Sequence, residues 1–189
     1  MTIQNRKVKR KSLQGAEKNN ERQGRDNRMD NGMEQIEIKR FELITDDLVD
    51  LFKLLNADMN EHSPLRVTYG EDCFHDLGEM TDSFIAYSGA NPVGCAILVG
   101  KSKEVGIITN IYVAPDYRRH RLCYRLFDAV EEQARERGHI MLISDTWNEL
   151  LPMQKGFLNG GYTRYAVKPA NEWEIGYYNA GHNYWKMLV

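Results

Sequence analysis

From residue 35 the chain switches between two hydrophobic periods. Ile36-Glu37-Ile38-Lys39-Arg40-Phe41 alternates apolar and polar side chains, the pattern of a half-buried strand. Leu48, Leu51, Phe52 and Leu55 then recur at helical spacing behind Thr45 as N-cap, with Asp46 and Asp47 in the first turn. Cys73, Phe74, Leu77 and Met80 predict a second, shorter helix within 69–80. The period next returns to two: 83–88, a Gly-Ala-Asn-Pro turn at 89–92 and 93–100 read as a β-hairpin. A third apolar strand over 105–113 ends at Ala114-Pro115-Asp116.

A long helix is expected from about Arg121 to Arg137, closed by Gly138. Its buried stripe is Leu122, Leu126, Val130 and Ala134 with Phe127 beside it, and Glu131 and Arg135 are placed at i,i+4 on the wet side. A strand over 140–144, a helix over about 147–158, a Gly160-Gly161 break and strands over 162–167 and about 183–188 follow. The predicted order is β-α-α-β-β-β-α-β-α-β-β.

Composition narrows the class. With 28% charged and 42% hydrophobic residues among 189, the chain is an ordinary globular one. Aliphatic runs such as Ala96-Ile97-Leu98-Val99 are far shorter than the roughly 20 residues needed to span a bilayer, so no membrane segment is expected. The start lacks the apolar core of a secretory signal, and Cys73, Cys95 and Cys123 form neither a disulfide framework nor a paired metal motif, so a reducing, cytoplasmic setting is the expectation. His62, His75, His120, His139 and His182 show no ligand spacing, and no metal is expected.

Charge is unevenly spread. Residues 1–32 carry a net +5 and residues 33–189 a net −7. The opening stretch has little apolar surface to bury, so 1–34 reads as a disordered basic tail and 35–189 as one folded domain. The basic cluster at 6–11 is the one place where nucleic acid would bind, although no aromatic is interleaved for base stacking. Met29 and Met33 are alternative starts.

The element order, together with Ile111-Tyr112-Val113-Ala114-Pro115-Asp116-Tyr117-Arg118-Arg119 opening a long amphipathic helix, resembles the GNAT superfamily of N-acetyltransferases over nearly all of 35–189. The resemblance implies an α/β (α+β) fold with a mixed, mostly antiparallel central sheet of six to seven strands flanked by about four helices. It also implies acetyl-CoA as cosubstrate and no metal. The pyrophosphate would lie on a loop of the type Arg/Gln-x-x-Gly-x-Gly/Ala, where unsatisfied helix donors and the macrodipole favour an anion. That assigns cofactor contacts to Ile111, Tyr112, Val113, Arg118, Arg119, His120, Arg121, Leu122, Cys123, Tyr124 and Asn148.

The sequence departs from the family pattern at three places. Arg121 and Cys123 stand where two small residues are usual. An arginine there costs on the order of 1–3 kcal/mol in backbone strain but returns about 1.5–3 kcal/mol as a charge-assisted bond to phosphate. Phe157 occupies the slot of the family's tyrosine, which protonates the departing CoA thiolate. The strand 105–113 carries no carboxylate where members often have a glutamate base; Thr109 and Asn110 sit nearest that position. Proximity supplies most of the rate of direct amine attack, so these losses do not by themselves abolish turnover.

Several residues keep two readings. Asp145, at a strand end, is the candidate base or amine anchor, or else a cap for the helix starting near Trp147. Asn148 contacts pantetheine or pyrophosphate, or is an early-helix polar residue. Cys123, beside three arginines and a histidine, has a depressed thiol pKa open to a mixed disulfide with CoA, or is an inert half-buried thiol. Tyr165, Trp173, Tyr177, Tyr178, Tyr184 and Trp185 line an acceptor pocket, or are core or a homodimer interface. Asp58, Glu61, Glu71, Asp72, Asp76, Glu79 and Asp82 form an acidic wall that would attract a cationic amine, or a solvated face. The function implied is acetyl transfer from acetyl-CoA to a primary amine of a small molecule or protein by direct attack. The alternative is a non-catalytic acyl-CoA-binding member of the same fold.

Overall fold

A computed structural model describes residues 36–42, 44–62, 81–147, 150–168 and 181–188. Its elements are β1 (Ile36–Phe41), α1 (Asp46–His62), β2 (Thr81–Ser88), β3 (Asn91–Gly100), β4 (Val105–Val113), a 3₁₀ turn (Pro115–Tyr117), α2 (Leu122–Glu136), β5 (Met141–Trp147), α3 (Leu151–Asn159), β6 (Thr163–Lys168) and β7 (Gly181–Met187). The strands form a seven-stranded sheet in the order β1-β2-β3-β4-β5-β7-β6. Only β4 and β5 are parallel among the pairs whose register is given; β2–β3, β3–β4, β5–β7 and β6–β7 are antiparallel. This is the mixed, mostly antiparallel sheet the sequence led one to expect. The helix expected within 69–80 lies outside the described residues.

Register divides the sheet's two faces between helices. Thr45 caps α1 through its Oγ1, which accepts from Leu48 N at 3.2 Å. Leu48, Leu51, Phe52 and Leu55 pack on Ile85, Tyr87, Cys95, Ile97 and Tyr112. On the opposite face α2 buries Leu122, Leu126, Phe127, Val130 and Ala134. Gly138 closes α2 at φ +83°, a conformation open to glycine at little cost. Behind α2, Phe127, Phe157 of α3 and Tyr184 of β7 form a run of stacked rings at 5.4 and 4.9 Å between centroids, with Tyr162 edge-on to Phe157 at 5.3 Å.

Two expectations need correction. Glu131 is not on the wet side: it is buried, because Lys186 of β7 donates to both carboxylate oxygens at 2.7 and 2.9 Å. The same ammonium donates to Gly160 O at 2.8 Å, so one cation ties α2, β7 and the end of α3. The strand expected to stop at 144 runs to Trp147, because β7 pairs with it along its whole length, from Met187 to Gly181. The next helix accordingly starts at Leu151, with a proline in its first turn where the missing N–H costs nothing. Asp145 is therefore a strand residue and does not cap that helix.

Gly106 sits where β4 passes under Leu98, Leu142 and His139; a Cβ there would meet all three side chains at 2.9–3.0 Å. Gly106→Ala should lower the unfolding free energy by about 1–3 kcal/mol, the usual range for overpacking, read as a shift of the urea midpoint at unchanged slope.

Candidate active site

The site grows from a defect in the sheet. β4 and β5 pair only at Val105–Met141, Gly106–Leu142 and Ile107–Ile143, after which the two parallel strands part. Ser144 Oγ donates to Ile108 O at 2.8 Å, so a side chain takes over where the ladder stops. On its other edge β4 carries a bulge: Cys95 pairs with Tyr112 and Ile97 with Thr109, leaving Asn110 and Ile111 opposite Ala96 alone. Asn110 takes φ +49° there. The cleft between β4 and β5 is thus bordered by a strand bent away from its parallel neighbour.

Beyond the bulge the chain is pinned, then released. Ala114 N donates to Val93 O, Tyr117 N to Ala114 O and Arg118 N to Pro115 O, at 2.9, 2.9 and 3.2 Å. Arg119 and Arg121 then both take left-handed backbone, at φ +66° and +63°. The next backbone donations are Tyr124 N and Arg125 N to Arg121 O. The amides of residues 119–123 in between have no acceptor among the described residues. Five successive donors at the start of a 15-residue helix make a pocket for an anion with several oxygens.

The structure sorts the sequence candidates. Arg119 and Arg121 are exposed and His120 is half-buried, all beside the donor run. Arg118 is engaged elsewhere: its Nη2 donates to Asp58 of α1 at 2.7 Å, its Nε to Val113 O at 2.9 Å, and its guanidinium lies 5.9 Å over the Tyr112 ring. Tyr112 and Leu122 are buried in the two cores, so only their backbone faces a ligand. Ile111 and Val113 are half-buried at the bulge, and Tyr124 stands edge-on to Phe127 at 6.2 Å. Asp145 is exposed on the α1 face of β5, opposite Asn183 and past the last β4–β5 pair. Asn148 lies outside the described residues, as do Glu71, Asp72, Asp76 and Glu79 of the acidic wall and Trp173, Tyr177 and Tyr178. Asp82 does not belong to a wall: it is fully buried, with Arg137 Nη2 on one carboxylate oxygen and Nε on the other, at 2.9 and 2.7 Å.

Cys123 is not an activated thiol. Burial pushes its pKa up to about 12, and it sits near Gly156 and Met153 of α3 rather than in the field of the loop's cations. Phe157 is fully buried in the ring stack and has no proton to give. Sequence reasoning singled out the slot of Arg121 but not the left-handed backbone at Arg119; two charged residues in tandem gave no sign of it.

The Acetyltransferase (GNAT) family model matches residues 47–151. Many solved structures share the fold. An acetyltransferase from Streptococcus agalactiae superposes with a TM-score of 0.67 at 20% identity, over 81% of this chain and 98% of that one. The Bacillus subtilis acetyltransferase in complex with CoA gives 0.65 at 16% identity, over 82% and 99%. A GNAT family acetyltransferase from Elizabethkingia anophelis with acetyl-CoA bound gives 0.61 at 17%, over 81% and 98%. No curated protein matches by sequence.

Two outcomes follow from this geometry. Arg121→Gly should raise the unfolding free energy by about 0.5–1 kcal/mol, since relief of the left-handed strain outweighs glycine's extra chain entropy; thermal unfolding would show it. A thiol that keeps its proton until pH nears 12 is about one part in ten thousand thiolate at pH 8. The Cys123 peptide should therefore stay unmodified by iodoacetamide at pH 8 in the folded protein and react once urea unfolds it.

Proposed function

The chain belongs to the GNAT family of acetyltransferases, and from that premise we propose that it transfers the acetyl group of acetyl-CoA to a primary amine. The observation that carries the reading is the run of five amides without acceptors at the head of α2, next to the parting of β4 from β5. A pyrophosphate satisfies those donors, and the exposed guanidinium groups of Arg119 and Arg121 add charge-assisted bonds that a glycine loop lacks. The arginines thus serve the same anion as the backbone they strain.

From that anchor the pantetheine arm would run along the bulge into the cleft. Backbone N–H groups of the bent strand near Ile111–Val113 polarise the thioester oxygen, which favours attack by an amine held close by. Asp145, on the far wall of the cleft and exposed, receives the cationic amine or takes its proton. A protein lysine, a protein N-terminus and a polyamine all fit this description. A second reading, binding of acyl-CoA without turnover, is favoured by Phe157, whose position in the buried stack has no acid.

Titration calorimetry of acetyl-CoA into the full chain separates these from a fold that has lost its cosubstrate. Micromolar affinity is expected, weakened at least tenfold in Arg121→Glu, which reverses one charge at the donor run without removing an amide. Absence of binding at millimolar acetyl-CoA would discard both readings. Release of CoA with a panel of primary amines then distinguishes transferase from binder.

A further inference from the structure

Tyr184 pairs across the sheet with Ser144, the first residue of β5 beyond the last β4–β5 pair. It is fully buried, yet its hydroxyl has no hydrogen-bond partner. Buried polar atoms left in this state are few in folded proteins, and each calls for an explanation. The nearest candidate does not supply one, since the Ser144 hydroxyl is already given to Ile108 O. Two residues along β7 on the same face, opposite buried Thr146, His182 has a buried Nδ1 that is also without a partner. Two unmatched polar groups therefore share the face of the sheet at the level where β4 leaves β5. A phenylalanine would fill the Tyr184 site equally well and leave nothing unmatched.

What would meet a hydroxyl there follows from the reading above, on which this inference rests. Transfer from a thioester expels a thiolate, and the thiolate needs a proton. Phe157 cannot give one, and Tyr162, the other buried phenol of the cluster, lies against Glu131 and under Lys186. We propose that Tyr184, one ring along the stack from Phe157, donates the proton to the sulfur of the departing CoA.

The step balances without any further reagent. The amine nitrogen bonds to the acetyl carbon, the carbon–sulfur pair goes to sulfur, and the phenolic proton follows it to give the free thiol. The amide nitrogen then loses its extra proton to water, and the phenolate regains one from water. Burial holds the Tyr184 phenol above its ordinary pKa, so it carries its proton at neutral pH. The same kind of burial pushes the Cys95 and Cys123 thiols up to about 12, so a thiolate released in such surroundings is strongly basic. Arg164, opposite Tyr184 on β6, opposes the rise and steadies the transient phenolate.

The test is Tyr184→Phe in the full chain, which keeps the ring and removes only the unmatched oxygen. Turnover should fall about 100-fold, within the usual range for a general acid, while the melting temperature stays level or rises. Affinity for CoA should fall severalfold, and affinity for desulfo-CoA, which lacks the sulfur, should not change. Phe157→Tyr in the Tyr184→Phe background should restore part of the turnover. Wild-type turnover in Tyr184→Phe, or equal changes in affinity for CoA and desulfo-CoA, overturns the assignment. Where the wild type binds CoA without turning over amines, the comparison of the two ligands decides alone. A wild type that binds no CoA removes the function proposed above and this assignment with it.

Discussion

Everything at the site depends on β4 pairing with two neighbours over different lengths. On the β3 side it is held to Val113, with a bulge at Asn110; on the β5 side it is held only to Ile107. A strand released on one edge has backbone groups to satisfy, and each has been given a different solution. Ile108 O receives the Ser144 hydroxyl, Asn110 O faces the Cys95 thiol at 3.6 Å, and Val113 O receives Arg118. What is left over lies further along, in the amides that follow Arg118, where solvent and an incoming anion compete for the same donors.

Holding a strand apart from its neighbour requires rigid surroundings, and the two faces provide them differently. On the α1 face the Arg118–Asp58 pair and the Tyr112 ring brace the turn after β4. On the other face the bracing is aromatic, with Phe127, Phe157 and Tyr184 stacked from α2 to β7 and each such pair worth about 0.5–1.5 kcal/mol beyond its area. Lys186 adds a polar tie among the same three segments.

The sequence was most legible where local signals agreed. β4 runs over the predicted 105–113 because an apolar stretch meets Ala114-Pro115, and α2 matches to within a residue at each end because a clear apolar stripe meets Gly138. It was least legible where a distant partner decided the matter. Nothing near Glu131 announces Lys186, 55 residues on, and nothing near Arg118 announces Asp58, 60 residues earlier. β5 exceeds its apolar core because β7 pairs with its polar end, Asp145 and Thr146 included. At the site, the loop's departure from small residues was visible at Arg121. The tyrosine with an unmatched hydroxyl was one aromatic among six, since only packing shows which polar atoms go unanswered.

The strand order carries a consequence for biosynthesis. β7 is the last strand in chain order but lies inside the sheet, between β5 and β6. A nascent chain that has emerged only as far as β6 has two open edges facing each other across a missing strand, and open edges invite foreign pairing. The sheet closes by insertion rather than by addition at its rim, so its final ribbon of seven residues acts as a keystone. Termination even slightly early would leave a divided sheet rather than a shorter one, which gives quality control a sharp distinction between finished and unfinished copies.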